Sequence, residues 1–268
     1  MPMLKKKKGT DKLAVQNAAK TLLANIRFAS VDSPIQVITV TSSTPNEGKS
    51  TVALNLAQAI ATGGSSVLLV ECDMRRRSMA DMIGARSRGG IYAVLSEQMP
   101  LDQAVVETSQ KNLFFLDSEP HIPNPADLII SHRFSKLVNL LKETYRYVIF
   151  DTPPVGTFVD AAEVGRLSDG VVFVIRENFT KRAEVASAFE QLKKAEVHVI
   201  GTVMNYCESE TSEYYYAYYN KEGKRVRTSD DVVATDPAPA PAKRTAAGTV
   251  VPARAGQSQQ LNSSRFSR

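Results

Sequence analysis

The sequence predicts an α/β fold in three layers, with helices on both faces of a mainly parallel sheet. Three observations lead there. Short apolar, β-branched runs alternate with helical periodicities along most of the chain, the pattern of successive βαβ units. Several runs, such as Val67-Leu68-Leu69-Val70, are apolar at every position, as strands covered on both faces are. A polar loop of small residues joins the first run to the helix after it. The 268 residues, 43% hydrophobic and 23% charged, suffice for one such domain and exclude collagen, a knottin or global disorder.

Taken in order, a helix is expected near 14–29, where apolar residues recur at helical spacing. The strands expected are Gln36–Thr41, Ser66–Glu71, Asn112–Leu116, Tyr147–Asp151, Gly170–Ile175 and Val197–Val203, each a short β-rich run between breakers. Between them helices are expected over Gly48–Thr62, Pro125–Thr144, Asp160–Leu167 and Lys181–Lys194. Beyond Tyr219 the composition shifts: Pro237-Ala238-Pro239-Ala240-Pro241 leads into a Gln/Ser/Arg-rich end. With few large apolar residues, 221–268 cannot offset the entropy of ordering and is expected to be a disordered tail.

The net charge of +5 and sequence pI near 9.1 would suggest an acidic partner. Its distribution says otherwise. Residues 1–20 carry +5, residues 220–268 carry +5, and residues 21–219 carry −5, so an acidic body bears two basic arms. Nucleic acid is therefore not an expected partner of the body. Cys72 and Cys207 are too few for a disulfide framework or a four-ligand zinc site, which fits a reducing cytoplasm. No run of about 18 apolar residues occurs, and Lys5–Lys8 is followed by Gly9, Thr10 and Asp11 instead of an apolar segment. Neither a signal peptide nor a membrane span is expected.

The densest chemical signal is Ser42-Ser43-Thr44-Pro45-Asn46-Glu47-Gly48-Lys49-Ser50-Thr51, set between a strand and a helix. That context is the one a phosphate-binding P-loop needs. Backbone N–H groups of residues 43–51 and the positive end of the helix would cradle a β-phosphate. Lys49 would reach the β- and γ-phosphates, and the Ser50 hydroxyl would join a Mg²⁺ shell. The first glycine of the usual pattern is replaced by Ser43, so that turn must be made without one.

Acids also stand at the ends of two further strands, in Glu71-Cys72-Asp73-Met74-Arg75 and in Phe150-Asp151-Thr152-Pro153-Pro154. Ligands of open α/β sheets bind at such strand ends, and a carboxylate on a buried strand tip is costly unless it meets a cation or water. Asp73 and Asp151 are thus the metal-side candidates; capping of the following turn is the alternative. His121, His132 and His198 lack metal-ligand spacing.

These motifs, with Pro123-Asn124-Pro125 leading into Asp127-Leu128 and a tyrosine-rich segment at 214–219, resemble the bacterial tyrosine kinases of capsule and exopolysaccharide operons, in the free-standing cytoplasmic form. The likeness runs from about residue 17 to 219. P-loop ATPases that position division sites or segregate plasmids share the fold, but they lack the tyrosines and carry an extra lysine where this chain has Thr44.

The resemblance implies a P-loop NTPase-like kinase domain over 14–206 between a basic arm (1–13) and a tyrosine cluster (207–220), using ATP and Mg²⁺. Lys49, Asp73, Glu71, Arg75 and Asp151 would be catalytic: Lys49 on the phosphates, Asp73 aligning or deprotonating the incoming tyrosine, Arg75 beside the site. Ser50, Asp73 and Asp151 would organise the metal. Residues Ser43, Thr44, Pro45, Asn46, Glu47, Gly48, Lys49, Ser50 and Thr51 would bind nucleotide, with Asn205 near the adenine. The acceptors would be Tyr214, Tyr215, Tyr216, Tyr218 and Tyr219 of a neighbouring copy. Adjacent tyrosines point in different directions and cannot all be buried; a nucleic-acid stacking platform is the rival, given Lys221, Lys224, Arg225 and Arg227.

Further partners implied are a membrane protein of the polysaccharide co-polymerase type, whose cytoplasmic tail stabilises the nucleotide-bound state, and a cognate tyrosine phosphatase. Recruitment to the inner face of the plasma membrane follows, helped by Lys5–Lys8 at up to about 1 kcal/mol per charge. Two departures stand out. Glu71 occupies a position usually held by Asp, and Asn17, Lys20 and Leu23 replace a Glu, Arg, Arg ladder used for ring assembly, with Arg27 as a partial substitute. They motivate a non-kinase alternative, a nucleotide-gated scaffold; a positioning ATPase is the other.

Overall fold

A computed structural model describes residues 8–29 and 34–207. The tyrosine cluster and the tail expected to be disordered lie outside the described residues. Helix α1 (Lys8–Ala29) precedes β1 (Val37–Ser42), α2 (Lys49–Thr62) and β2 (Val67–Glu71). Three short helices follow, α3 (Met79–Ile83), α4 (Ile91–Leu95) and α5 (Leu101–Ala104), then β3 (Val105–Glu107) and β4 (Leu113–Leu116). The chain continues through α6 (Pro125–Ile130), α7 (His132–Thr144), β5 (Tyr147–Asp151), α8 (Asp160–Leu167), β6 (Gly170–Arg176), α9 (Arg182–Lys194) and β7 (Val199–Asn205).

The strands form one sheet in the order β3-β4-β2-β5-β1-β6-β7, parallel throughout except for β3 against β4. Strands β1, β2 and β5 are buried at every residue, as their unbroken apolar runs require. On one face Ile38, Val40, Leu69, Phe115 and Ile149 pack under α1 and α2. On the other, Val37, Leu68, Val70, Val148 and Phe150 meet α4, α6 and α7, while Val171 and Phe173 meet α8 and α9. The three-layer α/β/α expectation holds.

Differences from the expected elements have local causes. The helix expected over 125–144 divides at Ser131, whose backbone is extended (φ −67°, ψ 147°) and whose hydroxyl caps α7 by accepting the Phe134 N–H at 3.2 Å. The last strand starts at Val199 because the Val197 N–H closes α9 on the Leu192 carbonyl, after Glu196 at φ 56°. Helix α1 starts six residues before position 14, inside the stretch expected to be an arm. Leu23, one of the ladder positions, is 6% exposed and packs in the core against α2, so it presents nothing to a neighbour.

Candidate functional site

The site forms where β1, β2 and β5 end side by side. Pairing of β1 with β5 brings Val40 opposite Asp151, and pairing of β2 with β5 brings Glu71 opposite Asp151. The loop after β1 is made without glycine at its start: its left-handed residues are Asn46 (φ 68°) and Gly48 (φ 86°). Gly48 has a further reason to lack a side chain, since a Cβ there would stand 2.1 Å from Asn205 Nδ2. Gly156 likewise lets the loop after β5 pass the Ser43 carbonyl, which a Cβ would meet at 2.3 Å.

Glu47 braces the loop from inside. It is fully buried, accepts the Thr44 N–H at 2.6 Å and accepts the Thr180 hydroxyl. Asn205, at the end of β7, donates to the Glu47 carbonyl at 2.9 Å. Arg176 donates to the Asn46 carbonyl at 3.3 Å, with its guanidinium over both Phe179 (4.6 Å) and Tyr206 (4.5 Å). Ser43 is buried, and its hydroxyl has no partner among the described residues.

Lys49, the first residue of α2, lies between acids. Its Nζ is 2.9 Å from Asp73 Oδ2, 3.6 Å from Asp151 Oδ1 and 3.2 Å from the Ser50 hydroxyl. Burial alone would depress Lys49, but Asp151 and Asp73 outweigh it and hold the ammonium above its usual value. Asp151 is fully buried, and neither carboxylate oxygen has a hydrogen-bond partner among the described residues. Burial pushes it up to about 6, against the pull of Lys49. A buried acid with open lone pairs beside a cation and a hydroxyl is a donor set suited to a metal carried by phosphates and water. Among the described residues no three His, Cys, Asp or Glu side chains converge on a metal by themselves.

The loop after β2 places the other expected residues. Asp73 Oδ1 accepts the Arg76 N–H at 3.0 Å, which fixes the turn and leaves Oδ2 to Lys49. Arg75 bridges both oxygens of Asp160 at 3.2 Å and lies over Phe158 at 4.3 Å. Glu71 points back into the loop: Oε2 accepts the N–H groups of Ser78 (2.9 Å) and Met79 (3.0 Å), and Oε1 accepts that of Asp73 (3.2 Å). Burial, reinforced by Asp151, pushes Glu71 up to about 8. Its carboxylate shapes the segment that carries Asp73 and Arg75.

The described part of the expected set therefore converges, from residues 43–51 to 71, 73, 75, 151 and 205. Three contributors were not expected. Asp160, 1% exposed, is the anchor for Arg75, and an acid at the first position of the helix after Asp151-Thr152-Pro153-Pro154 was its only trace in sequence. Arg176 approaches from the end of β6 and Thr180 from the turn between β6 and α9, contacts no motif announces.

The chain is similar to known proteins over most of its length. The AAA domain family model matches residues 35–213. Tyrosine-protein kinase YwqD of Bacillus subtilis is 37% identical over 198 residues, covering 74% of this chain and 84% of YwqD. The crystal structure of the chimerical protein CapA2B2 superposes with a TM-score of 0.69 at 33% identity, covering 71% of this chain and 84% of that one. The septum site-determining protein MinD from Pyrococcus horikoshii, complexed with Mg-ADP, gives 0.57 at 21% identity over 65% of this chain and 72% of its own, a likeness of fold alone.

Proposed function

The chain belongs to the bacterial tyrosine-protein kinases, and from that premise we propose that it transfers the ATP γ-phosphoryl group to tyrosines 214, 215, 216, 218 and 219 of a second copy, and thereby regulates assembly or export of a surface polysaccharide. The observation that carries the site assignment is Lys49 held between Asp73 and Asp151 at the start of α2. Phosphoryl transfer asks mainly for positioning and charge neutralisation. Incoming phosphates would compete with the two carboxylates for Lys49, while N–H groups of the loop from Ser43 to Thr51 hold the β-phosphate.

Mg²⁺, when bound, would neutralise charge on the transferring group; Ser50, Asp73 and Asp151 are the residues to hold it, with water and phosphate completing the shell. Asp73 would accept the proton from the incoming tyrosine Oη. Arg75, fixed by Asp160 and Phe158, would flank the acceptor. Asn205, hydrogen-bonded to the loop, would contact the base. Glu71 would act by positioning the Asp73 segment. For activation and membrane placement the protein would depend on a membrane partner with a cytoplasmic tail, and a cognate phosphatase would reset it; no helix among the described residues is long and apolar enough to cross a membrane.

A nucleotide-gated scaffold without kinase activity is the second reading, favoured by the commitment of Glu71 to backbone N–H groups. Incubation with Mg-ATP and mass-spectrometric mapping of phosphotyrosine separates the two. Modification at 214–219 that disappears in a folded Lys49→Met variant is expected. ATP binding with no modified tyrosine would leave the scaffold, and modification that persists in Lys49→Met would refute the site.

A further inference from the structure

A surface cleft of about 360 Å³ is lined by the apolar Met74, Pro120, Ile122 and Pro125 together with Arg75, Arg77 and His121, Met74 directly following Asp73 in sequence. The segment from Arg75 to Arg88, which begins at the cleft and includes α3, carries Arg75, Arg76, Arg77, Arg86 and Arg88 against the single acid Asp81. Arg75 and Arg77 are partly balanced by Asp160 and Asp117 (2.5 Å), and Arg86 by Asp81. Arg76 is exposed and donates to the neutral Asn46 side chain at 3.0 Å, which sets its charge at the edge of the phosphate loop. With Arg75 and Arg77 each paired to an acid, the cation next to the cleft left without an acidic partner among the described residues is Arg76, which lies between them in sequence and does not itself line the cleft.

The chain beyond Cys207 has the opposite character up to its tyrosines. Glu208, Glu210 and Glu213 precede Tyr214, and no Lys or Arg occurs before Lys221. Apolar walls suit an aromatic ring and the neighbouring Arg76 suits the acids ahead of it. We propose that this cleft selects its acceptor by charge: the arginines of 75–77 read the glutamates that lead into the first tyrosine of another copy, so Tyr214 is engaged before the tyrosines after it. The inference rests on the kinase reading above and adds to it a rule of acceptor choice, an aromatic hydroxyl with carboxylates on its N-terminal side. Arg76, whose side chain has no part in the transfer step proposed above, thereby acquires a role in specificity.

The test uses the full chain and two fluorescein-labelled peptides of residues 208–219, one native and one with all three glutamates changed to glutamine. Three exposed ion pairs at a few tenths of a kcal/mol to about 1 kcal/mol each predict about tenfold weaker binding of the glutamine peptide at low salt. The gap should narrow as ionic strength rises and the Debye length falls below about 8 Å. Arg76→Gln should weaken the native peptide and leave the glutamine peptide unchanged, the signature of direct coupling. Binding is read by anisotropy, so the result stands whether or not turnover occurs. Equal affinity of the two peptides, or equal loss of both in Arg76→Gln, overturns the proposal. Absence of phosphorylated tyrosine with the affinity difference intact would instead fail the kinase reading alone. Where turnover occurs, the same difference should appear in KM with kcat within about twofold, and Tyr214 should be modified first.

Discussion

Shortening Glu71 to aspartate tests what its extra methylene does. The family resemblance leads to an expectation of aspartate at this position, on which Glu71→Asp should be harmless or improve the enzyme. The structure predicts damage. The glutamate is fully buried, and its Oε2 accepts two N–H groups at 2.9 and 3.0 Å at the start of α3. Removal of one methylene withdraws the carboxylate by about 1.5 Å, which takes both contacts beyond hydrogen-bonding distance. Each buried N–H left without its acceptor costs about 1–3 kcal/mol. Because a helix of five residues can shift towards the shorter acid, a net loss of about 2–4 kcal/mol is expected. For a domain of this size that lowers Tm by about 5–15 °C.

Thermal unfolding followed by circular dichroism, without nucleotide or Mg²⁺, reads it directly. Glu71→Gln is the companion variant: it keeps the length and one acceptor oxygen but presents an amide to the Asp73 N–H, so its loss should be smaller. The pH dependence separates charge from reach. With the folded value raised to about 8 by burial and Asp151, the stabilising contribution of wild-type Glu71 is full below the unfolded value of about 4.5. It is lost as pH rises through that window towards 8. Glu71→Gln should therefore gain on wild type across that interval. An unchanged Tm in Glu71→Asp, with undiminished phosphorylation, would refute the positioning role.

Two further perturbations probe the frame around the site. Gly48→Ala must hold alanine at φ 86° and push Asn205 off the Glu47 carbonyl, so about 2–3 kcal/mol of stability and most nucleotide affinity should vanish, measured by calorimetry and ATP titration. Retained ATP affinity would contradict the close approach. Asp169 accepts the Gln36 and Val37 N–H groups at the start of β1 and pairs with Lys142 at 3.1 Å. Burial pushes it up, but those N–H groups and Lys142 win and leave it below the usual carboxylate range. Its stabilisation is thus present above the unfolded value near 3.9 and lost as pH falls through the lower folded one. Asp169→Asn should cost about 1–2 kcal/mol at pH 7 in chemical denaturation, and a gap that fails to close towards pH 3 would remove the ionic explanation.

The readable parts of the chain were those whose signal is local and long enough. Unbroken apolar runs such as Val67–Val70 and Tyr147–Phe150 announced central strands, and strand, loop, Gly48, Lys49 and helix announced the phosphate site, because each depends on neighbours in sequence. β3 has three residues and α5 four, too few to show a period, and β3 exists because Val105 and Val106 find β4. Ser131 broke a helix that its flanking periodicity continued, since one hydroxyl near a backbone N–H outweighs a pattern. Asp160 and Thr180 became site residues through contacts 85 and 133 positions away. The role of Glu71 depends on α3, a helix the sequence did not reveal, so the acid could be recognised but not the N–H groups it holds.

The tie between the phosphate loop and the end of β7 has a practical consequence. Asn205 grips the Glu47 carbonyl, and two residues later stands Cys207, exposed, whereas Cys72 is buried beneath the sheet. A thiol-reactive dye would therefore attach at one place, two residues from the Asn205 contact with the phosphate loop. Burial and Glu177 raise the Cys207 thiol, so labelling belongs at mildly alkaline pH. A dye there would stand close to the phosphate loop, where its emission can be tested for a response to added nucleotide.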